Sequence, residues 1–384
     1  MSPRAPPLAG VRVLDLTRLL PGPVATMHLA DMGADVVKIE DTGAGDYART
    51  LQGPQFFRLI NRNKRALRLD LKHAAGREVF MRLARSAQVI VEQFRPGVMD
   101  RLGAGYDAVR AINPGVVYCA ITGYGQDGPY RDRAGHDINY IGYAGVGDQI
   151  GTPETPLLPN FQIADLLGGS LAPVMGILAA LVEARTTGRG RYVDVAMADA
   201  VLAHAIVPLL GYLEQGRAPE RGSAMLSGGL PCYNVYRTAD GRFMAVGALE
   251  KKFWQTLCDT LGCPELKPDH YVYGEAARPA KARLAAIFVT RTQAEWTSIF
   301  AHADACVSPI LAIDEALAND QFRARGMVLS PDGARGFALP VKFSDFEFAV
   351  EREAPAPGEH TPQILAEAGY SPREIETLAE RGII

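Results

Sequence analysis

Short apolar runs alternate with amphipathic stretches along the first half of the chain. Runs long enough for buried strands cover residues 11–16, 34–39, 89–92, 116–121 and 193–197. Residues with helical character lie between and after them, at 24–32, 74–86, 106–112 and 165–185. Strands that alternate with helices usually pair in parallel and carry the helices on their faces. The pattern therefore predicts an α/β fold with a Rossmann-like parallel sheet.

The pattern changes in the second half. Residues 214–230 are rich in glycine, proline and charge, which is typical of a linker. Strands are predicted at 233–237 and 243–248, followed by helices to about residue 325, which indicates a smaller α+β domain. The tail, 340–384, is rich in proline and ends in a polar helix. A chain of 384 residues also exceeds what one hydrophobic core usually serves, so two domains are expected.

Composition narrows the class of protein. Hydrophobic residues make up 48% and charged residues 22%, with a net charge of −3, which argues against a nucleic-acid or membrane partner. The first residues lack an apolar stretch long enough for a signal peptide, and no run of 18 apolar residues occurs, so a cytoplasmic protein is expected. The five cysteines fit neither a zinc site nor a disulfide framework, which predicts reduced, mostly buried thiols and no metal.

The first turn of the predicted sheet argues against a dinucleotide cofactor. A Rossmann NAD site needs glycines in a G-x-G-x-x-G pattern so that the pyrophosphate can approach the helix. Here the turn 18–23 reads R-L-L-P-G-P, although Glu40 closes the second strand where a ribose-binding acid could lie. We therefore expect a Rossmann-like sheet that does not bind NAD.

Four basic residues lie at or near predicted strand ends. Lys38 is near the end of the second strand, Arg95 follows the strand 89–92, and Lys64 and Arg65 precede another apolar run. Ligands of open α/β sheets bind beyond the carboxyl ends of the strands, so these cations could converge on a phosphate-rich ligand. Each of them alone is more typical of a solvated surface charge. Only the four together indicate an anionic cofactor site.

Two residues are candidates for proton chemistry. His136 lies in a G-H-D-I-N-Y segment, and a single histidine is more often a core or surface residue than a catalyst. Asp165 starts a long apolar helix, where it is either an N-cap or a carboxylate kept ionised by the helix N-terminus. Gly168 and Gly169 would leave space for a substrate to approach that turn. The glycine-rich turn 123–129 fits a ligand-binding loop and an ordinary turn equally well.

Taken in order, these segments resemble the class III CoA-transferase superfamily, also called the CaiB/BaiF family. The resemblance is carried by L-A-G-V-R-V-L-D at 8–15, M-G-A-D-V-V-K-I-E at 32–40, N-R-N-K-R at 61–65, F-R-P-G at 94–97 and the turn 123–129. Within the superfamily the chain is most similar to the α-methylacyl-CoA racemase branch, through segments at 135–140, 236–241, 245–250, 304–309 and 361–365.

The resemblance implies an interlocked homodimer. Each chain would have a large Rossmann-like CoA-binding domain, 1–215, and a small α+β domain, 225–325, with the segment 330–384 returning to the large domain. An acyl-CoA would be the partner, and CoA would enter as part of the substrate rather than as a permanently bound cofactor.

The resemblance also assigns roles to single residues. His136 and Asp165 match the two acid/base groups, and Glu250 matches the partner of His136. The positions that match CoA-phosphate contacts are Lys38, Lys64, Arg65 and Arg95. The chain departs from the branch at Lys38, where arginine is frequent, at Ser227, where an acidic residue is common, and at Leu167, which interrupts a glycine run.

These roles fit racemisation at the carbon beside a thioester. One group removes a proton from one face of the carbon and the other delivers a proton to the opposite face, with no metal required. Backbone N–H groups of residues 166–169 are candidates to stabilise the enolate oxygen. Two alternatives remain. A CoA-transferase would use Asp165 as a nucleophile that carries the acyl group, and a non-catalytic CoA-binding protein would need neither His136 nor Glu250.

Overall fold

The structure is a computed structural model that describes residues 5–51, 53–330 and 335–384. Within them the strands are β1 (Arg12–Asp15), β2 (Asp35–Glu40), β3 (Arg65–Arg68), β4 (Val89–Glu92), β5 (Val117–Thr122), β6 (Tyr192–Ala196), β7 (Tyr233–Arg237), β8 (Phe243–Gly247) and β9 (Val307–Pro309). Parts of the predicted ranges 1–215 and 330–384, namely residues 1–4, 52 and 331–334, lie outside the described residues.

The α-helices, in chain order, are α1 (Pro21–Asp31), α2 (Pro54–Ile60), α3 (Ala74–Ala84), α4 (Val98–Arg101), α5 (Tyr106–Ile112), α6 (Asp137–Tyr143), α7 (Ala172–Thr187), α8 (Met197–His204), α9 (Ile206–Gln215), α10 (Lys251–Leu261), α11 (Arg278–Phe288), α12 (Gln293–Phe300), α13 (Ile313–Ala318), α14 (Asp320–Ala324), α15 (Thr361–Glu367) and α16 (Pro372–Glu380). A π-helical segment, Ala164–Leu171, runs directly into α7.

The chain divides into two compact units. The first comprises residues 1–144, 161–204 and 320–384, and the second comprises 145–160 and 205–319. The predicted domain ranges stay a prediction. They differ from the observed grouping in that residues 145–160 belong with the second unit, whose main segment starts at Ala205.

A six-stranded parallel sheet forms the centre of the first unit, with the strand order β3-β2-β1-β4-β5-β6. Leu14 pairs with Val37 on one side and Ile90 on the other. The order reverses between β1 and β4, and this switch point is where doubly wound sheets open a crevice for ligands. The predicted Rossmann-like sheet is confirmed.

Burial explains why these short strands form the sheet. Every residue of β4 and β5 is buried, as parallel strands covered on both faces require. The core beside the sheet includes Phe80 and Leu83 of α3 and Ile364 and Leu365 of α15. Each such side chain contributes about 1.5–3 kcal/mol on burial. The tail therefore packs into the core of the first unit.

The second unit is built around the antiparallel sheet β7-β8-β9. Its core contains Trp254 of α10, Phe288 of α11 and Trp296 of α12. The indole N–H of Trp254 donates to the carbonyl of Leu266 at 3.1 Å, so its polar atom is satisfied inside the core. This mixed arrangement confirms the predicted smaller α+β fold.

Local differences from the sequence pattern have clear causes. The proline-rich turn was expected to precede the first helix, but α1 begins at Pro21, because proline suits the first helical turn. Gly33, with φ +93°, follows the C-cap residue of this helix, Met32. The predicted linker, 214–230, includes a turn at Met225–Gly229 within the second unit, where Gly228 has a φ of +95°.

Candidate active site

Asp165 lies in the first turn of the π-helical segment Ala164–Leu171. The N-cap of this segment is Ile163, so the interpretation of Asp165 as an N-cap is wrong. The capping carboxylate comes from elsewhere in the chain. One oxygen of Asp137 accepts hydrogen bonds from the N–H groups of Ala164, at 2.6 Å, and Asp165, at 3.1 Å. Segments of π-helix are frequent at functional sites.

His136 is exposed and directly precedes α6. Its backbone N–H donates to the side-chain oxygen of Asn139 at 3.0 Å, and the hydroxyl of Tyr140 donates to the carbonyl of Gly135 at 2.6 Å. These two bonds fix the backbone on either side of the imidazole while leaving the ring accessible.

His136 and Asp165 are close enough to act on each other electrostatically. Burial and the negative charge of Asp137 together raise the pKa of Asp165 to about 6, although His136 acts to lower it. Desolvation and the neighbouring carboxylate therefore favour the neutral form of Asp165, in contrast to the expectation that the helix start keeps it ionised. A carboxyl group with this pKa can both accept and donate a proton near neutral pH.

The glycines after Asp165 serve packing. A Cβ on Gly168 would lie 2.7 Å from the carbonyl oxygen of Met197, and one on Gly169 would lie 2.3 Å from the Cβ of Pro21. The space beside these glycines is therefore filled by α8 and α1, which accounts for both of them by packing; the approach of a substrate to this turn stays a prediction.

The backbone of this turn offers fewer donors than the sequence indicated. The N–H of Leu166, one of the predicted donors to an enolate oxygen, already donates to the carbonyl of Gln162 at 3.0 Å. Leu167 to Gly169 lie inside the same π-helical segment, which uses its N–H groups for internal bonds.

The glycine-rich turn 123–129 is tied to neighbouring elements. The N–H of Gly125 donates to the hydroxyl of Thr122, and that of Gln126 donates to Asp194 of β6. A Cβ on Gly123 would lie 2.4 Å from the ring of Tyr140, so glycine is required there by close packing.

A cavity of 440 Å³ opens at the carboxyl ends of the strands around the switch point. Its lining includes Arg18 after β1, Tyr47, Lys72 after β3 and Phe94 after β4. The guanidinium of Arg18 lies 5.4 Å from the ring centre of Tyr47 and 5.0 Å from that of Phe94. At this distance a cation and the face of an aromatic ring attract each other electrostatically. No sequence pattern predicts this stack, because its three members meet only through the fold.

The structure places Lys38 and Lys64 inside the protein. Both side chains are fully buried. Lys38 pairs with Asp46 at 2.8 Å and donates to the carbonyl of Thr17 at 2.9 Å. Lys64 pairs with Asp15 at 3.0 Å. Because these cations are already bonded to carboxylates, their geometry fits support of the loop after β1 better than direct contact with a phosphate.

Arg65 takes part in a different ionic network. It bonds Asp35 at 2.7 Å and Glu367 at 2.8 Å, and Arg12 bonds the same two carboxylates at 2.9 and 3.0 Å. The network links the start of β2 to the end of α15. Arg65 therefore reaches toward the amino end of β2, away from the switch-point cavity.

The remaining predicted site residues are exposed. Arg95 follows β4 at the carboxyl end of the sheet. Glu250 directly precedes α10 in the second unit, where its charge acts on the thiol of Cys306. The pairing of Glu250 with His136 stays a prediction. Cys306 is exposed and the other four cysteines are buried, all of them free.

Two further properties of the described residues concern metal ions and membranes. Across the described parts of the chain, no group of three or more His, Cys, Asp or Glu side chains is arranged to hold a metal ion. The stretch Ala164–Thr187 is long and apolar enough to cross a bilayer, which is weak evidence because core helices of soluble proteins have the same character. The expectation of no membrane partner stays a prediction.

A doubly wound sheet with a cavity at its switch point belongs to the class of open α/β folds, which bind their ligands beyond the carboxyl ends of the strands. The family model for CoA-transferase family III matches residues 8–361. The chain thus belongs to CoA-transferase family III, and the predicted family membership is confirmed.

Racemases and CoA-transferases are both among the relatives that align with nearly the whole chain. Alpha-methylacyl-CoA racemase of Homo sapiens is 36% identical over 98% of this chain and 97% of its own. Succinate–glutarate CoA-transferase of Agrobacterium fabrum is 34% identical over 96% and 97%. A crystal structure of a CaiB/BaiF family protein from Brucella suis superposes with a TM-score of 0.82 and 31% identity, over 95% of this chain and all of the other.

Proposed function

We propose that the chain racemises 2-methylacyl-CoA thioesters by proton transfer between two bases. The observation that carries the proposal is that His136 lies close enough to Asp165 to lower the pKa of its carboxyl group. Racemisation needs two acid/base groups, whereas acyl transfer needs only the carboxylate. Full-length similarity to racemases adds support.

The proton transfer follows from the states of the two groups. In one direction, the ionised carboxylate of Asp165 takes the proton from the carbon beside the thioester, and the C–H electron pair becomes the enolate. Protonated His136 then delivers its proton to the opposite face, so that a new C–H bond forms with inverted configuration. In the other direction the roles are exchanged. Glu250 is proposed to pair with His136 and to favour its imidazolium form.

We place the nucleotide end of the CoA moiety in the switch-point cavity. Its volume and its position beyond the carboxyl ends of the strands support this placement. Lys72 lines the cavity as an exposed cation, and the exposed Arg95 directly follows Phe94, which also lines it; both are suited to phosphate contact. Lys38, Lys64 and Arg65 would act indirectly, by holding the strands and the loop beneath the cavity. CoA is thus a part of the substrate, with no permanently bound cofactor.

The apolar surface of the separate chain supports assembly into the interlocked homodimer. Helix α9 has no buried residue, and its exposed side chains include Ile206 and Leu213, 66% and 68% exposed. On α7, Met175 is 68% and Val182 69% exposed. A second copy of the chain would cover such surfaces. We expect sedimentation at nanomolar concentration to show a dimer, and a stable folded monomer would count against the proposal.

We propose a cytoplasmic location and a role in lipid metabolism.

A CoA-transferase is the second candidate, because family relatives with that activity also align along the whole chain. In that reaction an oxygen of Asp165 would attack the thioester carbonyl, CoA would leave as a thiolate, and a mixed anhydride would form on the enzyme. The acceptor carboxylate would then attack the aspartyl carbonyl and release the donor acid, which leaves a new anhydride on Asp165. The CoA thiolate would take the acyl group of this new anhydride as a thioester, and the carboxylate of Asp165 would be freed.

One experiment distinguishes the two activities. The protein is incubated in heavy water with single enantiomers of a panel of 2-methylacyl-CoA thioesters, without any carboxylic acid acceptor. A racemase incorporates deuterium at the carbon beside the thioester and erodes optical purity. A transferase does neither, but moves CoA to an added acid and forms an adduct on Asp165 that hydroxylamine traps. The second result would replace the racemase proposal.

A further inference from the structure

Asp137 connects the two segments that carry the proposed acid/base groups. It follows His136 directly in the chain and is the first residue of α6. One of its carboxylate oxygens accepts from two consecutive N–H groups, those of Ala164 and Asp165. The side chain of Asp137 therefore bonds the turn that carries Asp165, while its backbone is joined directly to His136.

The bonded N–H groups would otherwise lack partners. The first N–H groups of a helix have no intrahelical acceptor, and Ile163, at the N-cap of the π-helical segment, has no side-chain oxygen to offer. Asp137 supplies the acceptor from a position 27 residues earlier. The turn around Asp165 is thus held by a tertiary contact rather than by its own sequence.

We propose that Asp137 is a positioning residue for the proton transfer, which fixes the Asp165 turn at a set distance from His136. The inference rests on the proposed function. It assigns to Asp137 a role through Asp165 and His136 and no contact with the substrate.

The charge of Asp137 has a second effect on the same turn. The groups that face Asp165 are Asp137, His136 and Tyr140, all on or beside α6. Charged groups on the other helices packed against the segment act elsewhere: Asp199 of α8 acts on Asp194, and the groups acting on His28 of α1 are Asp31, Arg62 and Lys64. After burial, Asp137 is the group that raises the pKa of Asp165.

Two substitutions separate position from charge. Asp137→Asn keeps an oxygen that accepts the two hydrogen bonds but removes the charge. Asp137→Ala removes both. Asp132→Asn is the matched control, because Asp132 lies on the same loop, is 79% exposed and pairs only with Arg131 at 3.4 Å among the ion pairs of the described residues.

The measurement is the rate of deuterium incorporation from heavy water into each enantiomer of a 2-methylacyl-CoA, as a function of pH. Asp137→Ala should lower kcat on the order of 10²-fold with little change in KM, because small misplacements of a reacting group are costly. Asp137→Asn should keep most of the wild-type rate at pH 7.5. The pH profile of this variant should also change for the enantiomer whose proton Asp165 removes. The acid limb of its exchange rate should move to lower pH, because the pKa of Asp165 falls when the charge of Asp137 is removed. The control should match the wild type in both respects.

Three results would overturn the inference. Asp137→Ala could exchange deuterium at the wild-type rate, or Asp137→Asn could leave the acid limb unmoved while lowering only the melting temperature, as a merely structural residue would. If Asp137→Ala does not fold, the pH profile of Asp137→Asn decides alone. Failure of the wild type to exchange any thioester of the panel would instead reject the proposed function, and this inference with it.

Discussion

Asp15 and Asp165 belong to the same unit, yet their surroundings shift their pKa values in opposite directions. Burial is the largest influence on both and raises the pKa of each. At Asp15 it is outweighed by Lys64 and Lys38 and by hydrogen bonds from two threonine hydroxyls, so the pKa is lowered. At Asp165 the next influence is another carboxylate, and the pKa rises to about 6.

The difference separates a structural carboxylate from a reactive one. Asp15 accepts from the N–H and hydroxyl of Thr17 and from the hydroxyl of Thr26 at 2.7 Å, and so holds the loop after β1 in place. Asp165 is held through its backbone, and its side chain remains available for chemistry. Strongly shifted groups without a compensating ion pair are characteristic of active sites.

The largest expected effect is on activity. Asp165→Asn should abolish racemisation and exchange, and His136→Ala should abolish racemisation, since one acid/base group contributes about 10²–10⁴-fold. In His136→Ala some deuterium exchange should survive on the face that Asp165 serves. If His136→Ala retains full activity while Asp165→Asn is inactive, Asp165 is a nucleophile and the transferase candidate is correct.

The second-largest expected effect is on stability and concerns the buried carboxylate of Asp15. Lys64→Met should lower the free energy of unfolding by about 3–5 kcal/mol, because it leaves the charge of Asp15 buried without its nearest cation. Urea unfolding measures the change. Lys72→Met, which truncates an exposed lysine, is the control and should stay within about 0.5 kcal/mol of the wild type. Equal stability of the two variants would show that the buried pair contributes little.

The pH dependence of stability should differ in sign between the two aspartates. The folded pKa of Asp15 lies below its usual 3.8, so its contribution is present above that pH and is lost as the pH falls through the folded pKa. The pKa of Asp165 is raised from 3.8 to about 6, so its contribution is present below 3.8 and is lost as the pH rises through 6.

Asp165→Asn should therefore become more stable relative to the wild type between pH 4 and 6.5, by at most about 3 kcal/mol, since one pKa unit corresponds to about 1.4 kcal/mol. Denaturant titrations at several pH values measure the difference. A constant difference across this range would mean that the pKa of Asp165 is not raised in the folded state.

The sequence pattern predicted the framework well because burial determines it. Strands such as β4, predicted at 89–92, consist mainly of apolar residues, which are stable only inside a covered sheet. Strand β3 was harder to predict, because it begins with Arg65, whose charge is compensated by Asp35 and Glu367, the latter about three hundred residues away in the chain.

The candidate site could be predicted only in part for the same reason. His136 and Asp165 stand in recognisable segments, but the contact of Asp137 with the Asp165 turn joins residues from separate elements. Likewise, Lys38 and Lys64 are found in segments that indicate phosphate contact, and only the fold shows that carboxylates already bind them. Charge pairing over long sequence distances leaves no local signal.

The smallest expected effect concerns the exposed cations at the switch point. A CoA thioester should raise the melting temperature of the wild type by mass action, and NAD should not. Arg95→Ala should bind the thioester roughly tenfold more weakly, because one charge-assisted contact contributes about 1.5 kcal/mol, and should leave the ligand-free melting temperature unchanged. Lys64→Ala and Arg65→Ala should instead lower the melting temperature of the ligand-free protein, because they break ion pairs inside the first unit, and should change the dissociation constant of the thioester little.

Arg110→Ala serves as the control. Arg110 is also exposed, but it lies within α5, whereas Arg95 follows the carboxyl end of a strand. Titration of the melting temperature with CoA and with a 2-methylacyl-CoA gives the dissociation constants. If Arg95→Ala and Arg110→Ala bind equally well, Arg95 makes no phosphate contact. If Lys64→Ala loses affinity without losing stability, the buried lysine reaches the ligand after all, and the contrast between buried ion pairs and exposed ligand contacts fails at that residue.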